Sequence, residues 1–119
     1  MANGGDNLGT VLAAWGRMIR TGTVDGLTEL LHPDAVWVGI EPGEICRNRD
    51  EVVYVLTHRA AFPRPTRIEA QELGDSVVVG FEAPDLPEPR WLVIAFEEGK
   101  VVRMQSVTDR DLALRLAAG

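Results

Sequence analysis

With 119 residues, 45% of them apolar and 25% charged, the chain has the size and balance of one globular domain that buries a core without disulfides or metal. Asp and Glu outnumber Lys and Arg by 18 to 12, a net charge of −6, and no basic stripe interrupts the excess; nucleic acid and anionic membrane are thereby excluded as main partners. The single cysteine, Cys46, rules out an internal disulfide and a multi-cysteine metal site, no apolar run approaches the roughly 18 residues of a membrane span, and the first residues lack the basic and apolar regions of a signal peptide, so a cytoplasmic location is expected.

In chain order, residues 1–6 are glycine-rich and expected to be loose. Leu8, Val11, Leu12, Trp15, Met18 and Ile19 have the spacing of a helix with one buried face, closed by Gly22, with Thr23 placed to cap the next helix. That second helix turns Leu27, Leu30 and Leu31 inward and must stop before Pro33, because the residue preceding proline avoids the helical region. A strand is predicted over Ala35 to Ile40 and a loop over Glu41 to Arg47. Asn48 with Glu51 three residues on reads as a capping box opening a third helix, with Val52, Val55 and Leu56 inward.

The period then changes to two. Thr66 to Leu73, Ser76 to Ala83, Arg90 to Glu97 and Lys100 to Thr108 read as four strands. Gly74-Asp75 and Glu98-Gly99 are tight hairpin signals, and a proline-rich loop spans Pro84 to Pro89. Asp109 is placed to cap a short final helix with Leu112 and Leu116. Helices followed by an antiparallel meander make an α+β domain spanning residues 1–119: three N-terminal helices over a curved antiparallel sheet, leaving a cone-shaped interior.

Three segments, Gly22-Thr-Val-Asp-Gly-Leu27, Leu31-His-Pro-Asp-Ala-Val-Trp37 and Cys46-Arg-Asn-Arg-Asp-Glu-Val52, together with Gly99 to Gln105 on the last strand, resemble the nuclear transport factor 2-like superfamily, and within it SnoaL-like proteins and ketosteroid isomerases. The resemblance runs over residues 8–109. It implies the cystatin-like cone and a pocket, but no particular activity, because that fold hosts isomerases, cyclases, dehydratases, epoxide hydrolases and non-catalytic adaptors.

Transferred position by position, the family's catalytic groups are missing. The isomerase's general base falls at Gly39, its oxyanion-hole tyrosine at Trp15, and its second oxyanion donor, a protonated aspartic acid, at Leu92. The last-strand aspartate of epoxide-hydrolase relatives falls at Ser106. Enolisation without base or donors does not proceed.

Glu82 remains as the one carboxylate in an otherwise apolar strand. Facing a cavity it would be a candidate acid or base; facing solvent it would pair with Arg90 across the proline-rich hairpin. Trp15 and Trp37 read either as core or as cavity walls, where the Trp37 indole N–H can also orient a ligand. Leu56, Leu92, Ile94, Met104 and Ser106 complete the expected pocket lining. If Met104 and Ser106 face inward, sharing a face with Val102 and Thr108, then Arg103, Gln105 and Val107 face outward, where relatives pair sheets into homodimers.

His58 reads as solvated or capping and His32 as a helix-end group, and their spacing fits no metal site. Cys46, without a histidine partner, is no nucleophile. Neither cofactor nor metal is implied. The expectation is a pocket protein for a hydrophobic metabolite. An isomerase, cyclase or hydratase working through Glu82, and a dimeric interaction module, are the alternatives, and whether the chain is an enzyme stays open.

Overall fold

The computed structural model describes residues 4–58, 65–84 and 86–118, with the backbone alone for 4–6. Its elements are α1 (Gly4–Thr21), α2 (Asp25–Leu30), β1 (Leu31–Val38), β2 (Ile45–Cys46), α3 (Arg49–Thr57), β3 (Arg67–Leu73), β4 (Ser76–Glu82), β5 (Arg90–Glu97), β6 (Lys100–Val107) and α4 (Arg110–Ala118). One curved six-stranded sheet runs in the order β2-β1-β6-β5-β4-β3. Its pairings are antiparallel apart from β1, which lies parallel to β6. The meander supplies four strands, and the chain's first strand closes onto the last one.

Helices α1 to α3 pack on one face of this sheet and α4 on the other. Strand alternation supplies both faces. From β4, Val77 and Val79 join the core beneath α1 to α3, together with Ala35, Ile94, Phe96, Val101 and Met104. Val78, Val93 and Val107 point the opposite way and are covered by Leu112, Ala113, Leu114 and Ala117 of α4. The outer face expected to be left for a second protomer is therefore partly filled by the chain's own C-terminal helix. Val36 and Val38, and Ala95 and Gln105, remain half-buried beside it.

Caps and turns follow local chemistry. Gly22, at φ 73°, takes the left-handed position that ends α1, and its N–H donates to the Met18 carbonyl at 2.8 Å. Asn48 caps α3 by accepting from the Glu51 N–H at 3.0 Å, while the Glu51 carboxylate reaches back to the Arg47 N–H at 2.6 Å. In the β5–β6 hairpin Glu98 (φ 52°) and Gly99 (φ 80°) both adopt left-handed backbone, as the tight primed turn requires.

Several boundaries differ from the sequence reading. Helix α1 starts at Gly4, inside the segment expected to be loose. The cap of α2 is Val24, with no side-chain hydrogen bond; Thr23 instead takes its own N–H to the Thr21 hydroxyl. Helix α2 ends at Leu30, and β1 begins at Leu31, through His32-Pro33. Pro33 is tolerated there because the β1–β6 register shifts between Leu31 and Val36, leaving no ladder bond for the missing N–H. His32 accepts from the Asp34 N–H at 3.0 Å inside that irregular stretch and does not serve a helix end. Ile45 and Cys46, expected in a loop, form the short edge strand β2 against Trp37 and Val38.

A further shift falls in β6. Ala95 pairs with Arg103 and Phe96 with Val101, so Val102 is an inserted residue. Val101 thus joins Met104 in the core, and Val102 does not share their face.

Candidate functional site

A cavity of about 130 Å³ lies between the inner sheet face and helices α1 to α3. Helix α1 contributes Val11, Ala14, Trp15 and Met18, a stripe spaced by three and four residues, and α2 adds Leu27 and Leu30. Trp37 enters from β1, Leu56 from α3, Phe81 from β4, Leu92 and Ile94 from β5, and Val101, Met104 and Ser106 from β6. The structure thus brings together Trp15, Trp37, Leu56, Leu92, Ile94, Met104 and Ser106, the pocket lining expected from sequence spacing and from the family resemblance together.

The walls are apolar with few polar points. Trp15 meets Phe81 edge to face, with ring centroids 5.0 Å apart and planes at 89°, a favourable quadrupole arrangement. The Trp37 indole N–H donates to the Ser106 hydroxyl at 3.0 Å. That bond fixes the ring and leaves the serine proton available for another acceptor. Arg90 is the cation among the described lining residues. Its Nε is fully covered and has no hydrogen-bond partner.

Among the lining residues that sequence spacing does not assign to the pocket are Arg90, Phe81, Val11, Met18 and Val101. The first four carried a usable signal. Arg90 has the parity of Leu92 and Ile94, Phe81 that of Val77 and Val79, and Val11 and Met18 the helical spacing of Trp15. Val101 had none, since its inward position depends on the bulge.

Glu82 stands elsewhere. By strand alternation it follows Val78 and Gly80 onto the outer face, and its register partner is Arg67 on β3. Its carboxylate lies 3.9 Å from the Arg67 guanidinium with about half of the side chain exposed, at 49%. The expected pairing with Arg90 does not form, since Arg90 faces Phe81 across the β4–β5 ladder and turns into the cavity.

Of the four positions that correspond to catalytic groups in the resembled families, Trp15, Leu92 and Ser106 line the cavity. Gly39 lies just beyond β1. Its N–H donates to the Glu44 carbonyl at 2.7 Å, and a Cβ there would approach the Glu44 side chain to 2.6 Å. A side-chain base at this position would require the loop to move.

Other titratable groups lie outside the cavity lining. The ring of His58 bonds the Tyr54 carbonyl at 2.7 Å on the exposed side of α3. Cys46 is buried; desolvation first, and then the nearby Glu51 charge, raise its pKa and keep the thiol protonated. Among the described residues no three His, Cys, Asp or Glu side chains gather to hold a metal ion, and no helix is long and apolar enough to cross a membrane.

An α+β cone with helices over the concave face of a curved sheet, enclosing a lined cavity, is the nuclear transport factor 2-like fold. No protein-family model and no curated protein matches the chain. Solved structures do. A nuclear transport factor 2-like protein of unknown function from Burkholderia xenovorans LB400 superposes with a TM-score of 0.71 at 18% identity, over 87% of this chain and 84% of that one. Another from Burkholderia pseudomallei K96243 reaches 0.69 at 23% identity over 100% of both chains. A candidate polyketide cyclase from Pseudomonas putida KT2440 reaches 0.68 at 16% identity, over 88% of this chain and 92% of that one. At these identities the likeness establishes the fold.

Proposed function

We propose that this chain is a SnoaL-like pocket protein that binds a compact hydrophobic metabolite. One observation carries the reading: a cavity of about 130 Å³ walled by aliphatic and aromatic side chains, with polar groups at only a few points. Binding sites of this kind use apolar walls for affinity and sparse polar groups for orientation. The volume is well below the roughly 300 Å³ at which drug-sized sites begin, which favours a molecule of one ring or a short branched chain. The structural likeness to a candidate polyketide cyclase makes small polyketides a natural first class to try.

Acid–base catalysis through Glu82 finds no support, because the carboxylate lies on the opposite face of the sheet, exposed and beside Arg67. The described lining residues include no carboxylate, imidazole or thiol. Pairing of two protomers, if formed through the sheet, would use the strip of Val36, Val38, Ala95 and Gln105 that α4 leaves open; sedimentation as a monomer at all concentrations would remove it.

The test is a tryptophan-fluorescence titration with small polyketides, terpenes and a steroid, since Trp15 and Trp37 both line the cavity. Saturable change with a compact ligand, and none with a steroid too large for the space, is the expected result. A flat signal across the panel would reject the binding function.

A further inference from the structure

Arg90 poses a physical problem that its surroundings do not solve. A guanidinium is charged at every accessible pH and offers five N–H donors. Here the side chain lines an apolar cavity, Nε is covered by protein, and no hydrogen bond reaches it. Neither ion pair found among the described residues involves Arg90. Glu82, at the near end of the same β4–β5 hairpin, is turned to the other face beside Arg67. A covered donor without an acceptor costs free energy, even on a side chain that is half-buried as a whole. Such a group is out of place in a wall that serves packing alone.

Its position relative to Ser106 adds geometry. Leu92, two residues after Arg90 on the same strand face, is the register partner of Ser106. The backbone positions of Arg90 and Ser106 therefore stand on neighbouring strands about 7 Å apart along the strand direction, from two residues of extended rise. The serine oxygen already accepts from the Trp37 indole, so its proton is free to donate to a second acceptor. Phe81, opposite Arg90 in the ladder, and Trp15, edge-on to Phe81, supply aromatic surface beside the cation.

We propose that the ligand is a small aromatic or alicyclic carboxylate, with its anionic group on Arg90 and its ring against Trp15, Phe81 and Leu92. The inference rests on the cavity being a ligand site. It adds the charge of the ligand and the residue that selects it. A carboxylate matches the planar guanidinium fork in two parallel hydrogen bonds, which an isosteric amide does not. It supplies an acceptor for the covered Nε while its ring stays in the apolar space.

Calorimetric titration with 4-ethylbenzoate and 4-ethylbenzamide, equal in shape and different in charge, tests this directly. A charge-assisted contact predicts that the carboxylate binds on the order of tenfold to a hundredfold more tightly. Arg90→Met should bring the two ligands to equal affinity. Arg90→Lys, which keeps the charge and loses the fork, should retain only part of the preference and serves as the check should Arg90→Met fail to fold. Equal affinity for both ligands in the unsubstituted protein would overturn the carboxylate assignment and leave the pocket reading intact. Binding of neither at millimolar concentration would overturn both.

Discussion

Ala14 offers a way to separate the cavity from the fold that surrounds it. It sits on α1 between Val11 and Trp15 and lines the space with a single methyl group. An unfilled apolar void of about 130 Å³ carries a penalty near 3 kcal/mol at roughly 24 cal/mol per Å³. Leucine at position 14 adds three carbons, and at about 0.8 kcal/mol per buried methylene recovers up to about 2 kcal/mol. Over 119 residues the unfolding entropy per residue converts this to a rise of about 8 °C in Tm. Ala14→Leu should therefore unfold later in calorimetry while losing affinity for any ligand that needs the filled volume. Overpacking would instead cost about 1–3 kcal/mol, so a Tm lower by several degrees, with binding retained, would refute the claim that this space is open and occupied by ligand.

Three further outcomes follow from particular contacts. Gly80→Ala should destabilise the protein by about 1–3 kcal/mol, because a Cβ at Gly80 would enter the Trp91 ring, which Arg110 covers at 5.9 Å while it holds Glu69; an unchanged Tm would show that Trp91 swings away freely. Glu82→Gln should leave ligand affinity and thermal stability nearly unaltered, within about 0.5 kcal/mol for an exposed pair, and a large drop in either would return this carboxylate to the site. The Cys46 thiol, held protonated by burial and by Glu51, should react with a disulfide reagent at pH 8 at least tenfold more slowly in the folded than in the unfolded chain. Because the unfolded thiol releases its proton first, the contribution of this group to stability should fall as pH rises above the ordinary thiol range of about 8.5; rapid labelling of the folded protein would contradict the burial.

Local patterns carried most of the architecture. The 3.6-residue stripe of α1, the Asn48–Glu51 cap and the two tight turns are governed by nearest neighbours, and they stand where sequence reading puts them. What was not legible depended on distant partners. Leu31 becomes strand because Val101 of β6 pairs with it and carries His32-Pro33 into an irregular stretch, and Ile45-Cys46 because Trp37 and Val38 pair with them. Val101 faces the cavity only through the bulge opposite Ala95 and Phe96.

The candidate site shows the same division. Alternation, helical spacing and the family resemblance nominate Trp15, Trp37, Leu56, Leu92, Ile94, Met104 and Ser106, and the cavity gathers them. Glu82 drew attention because a carboxylate in an apolar strand is unusual, yet its parity already placed it with Val78, away from Val77 and Val79. Arg90 has the cavity's parity, although its charge suggests a surface partner. Parity was the better guide at both positions.

Methyl NMR of Met18 and Met104 gives the most direct measurement of the central claim. The two methionines approach the cavity from α1 and from β6, opposite walls of one space. Titrating 4-ethylbenzoate into the protein should shift both methyl resonances along a single saturable curve, and Ala14→Leu should abolish both shifts together. Shifts absent from these two methyls at saturating ligand, or surviving unchanged in the filled variant, would contradict a ligand cavity between the helices and the inner sheet face.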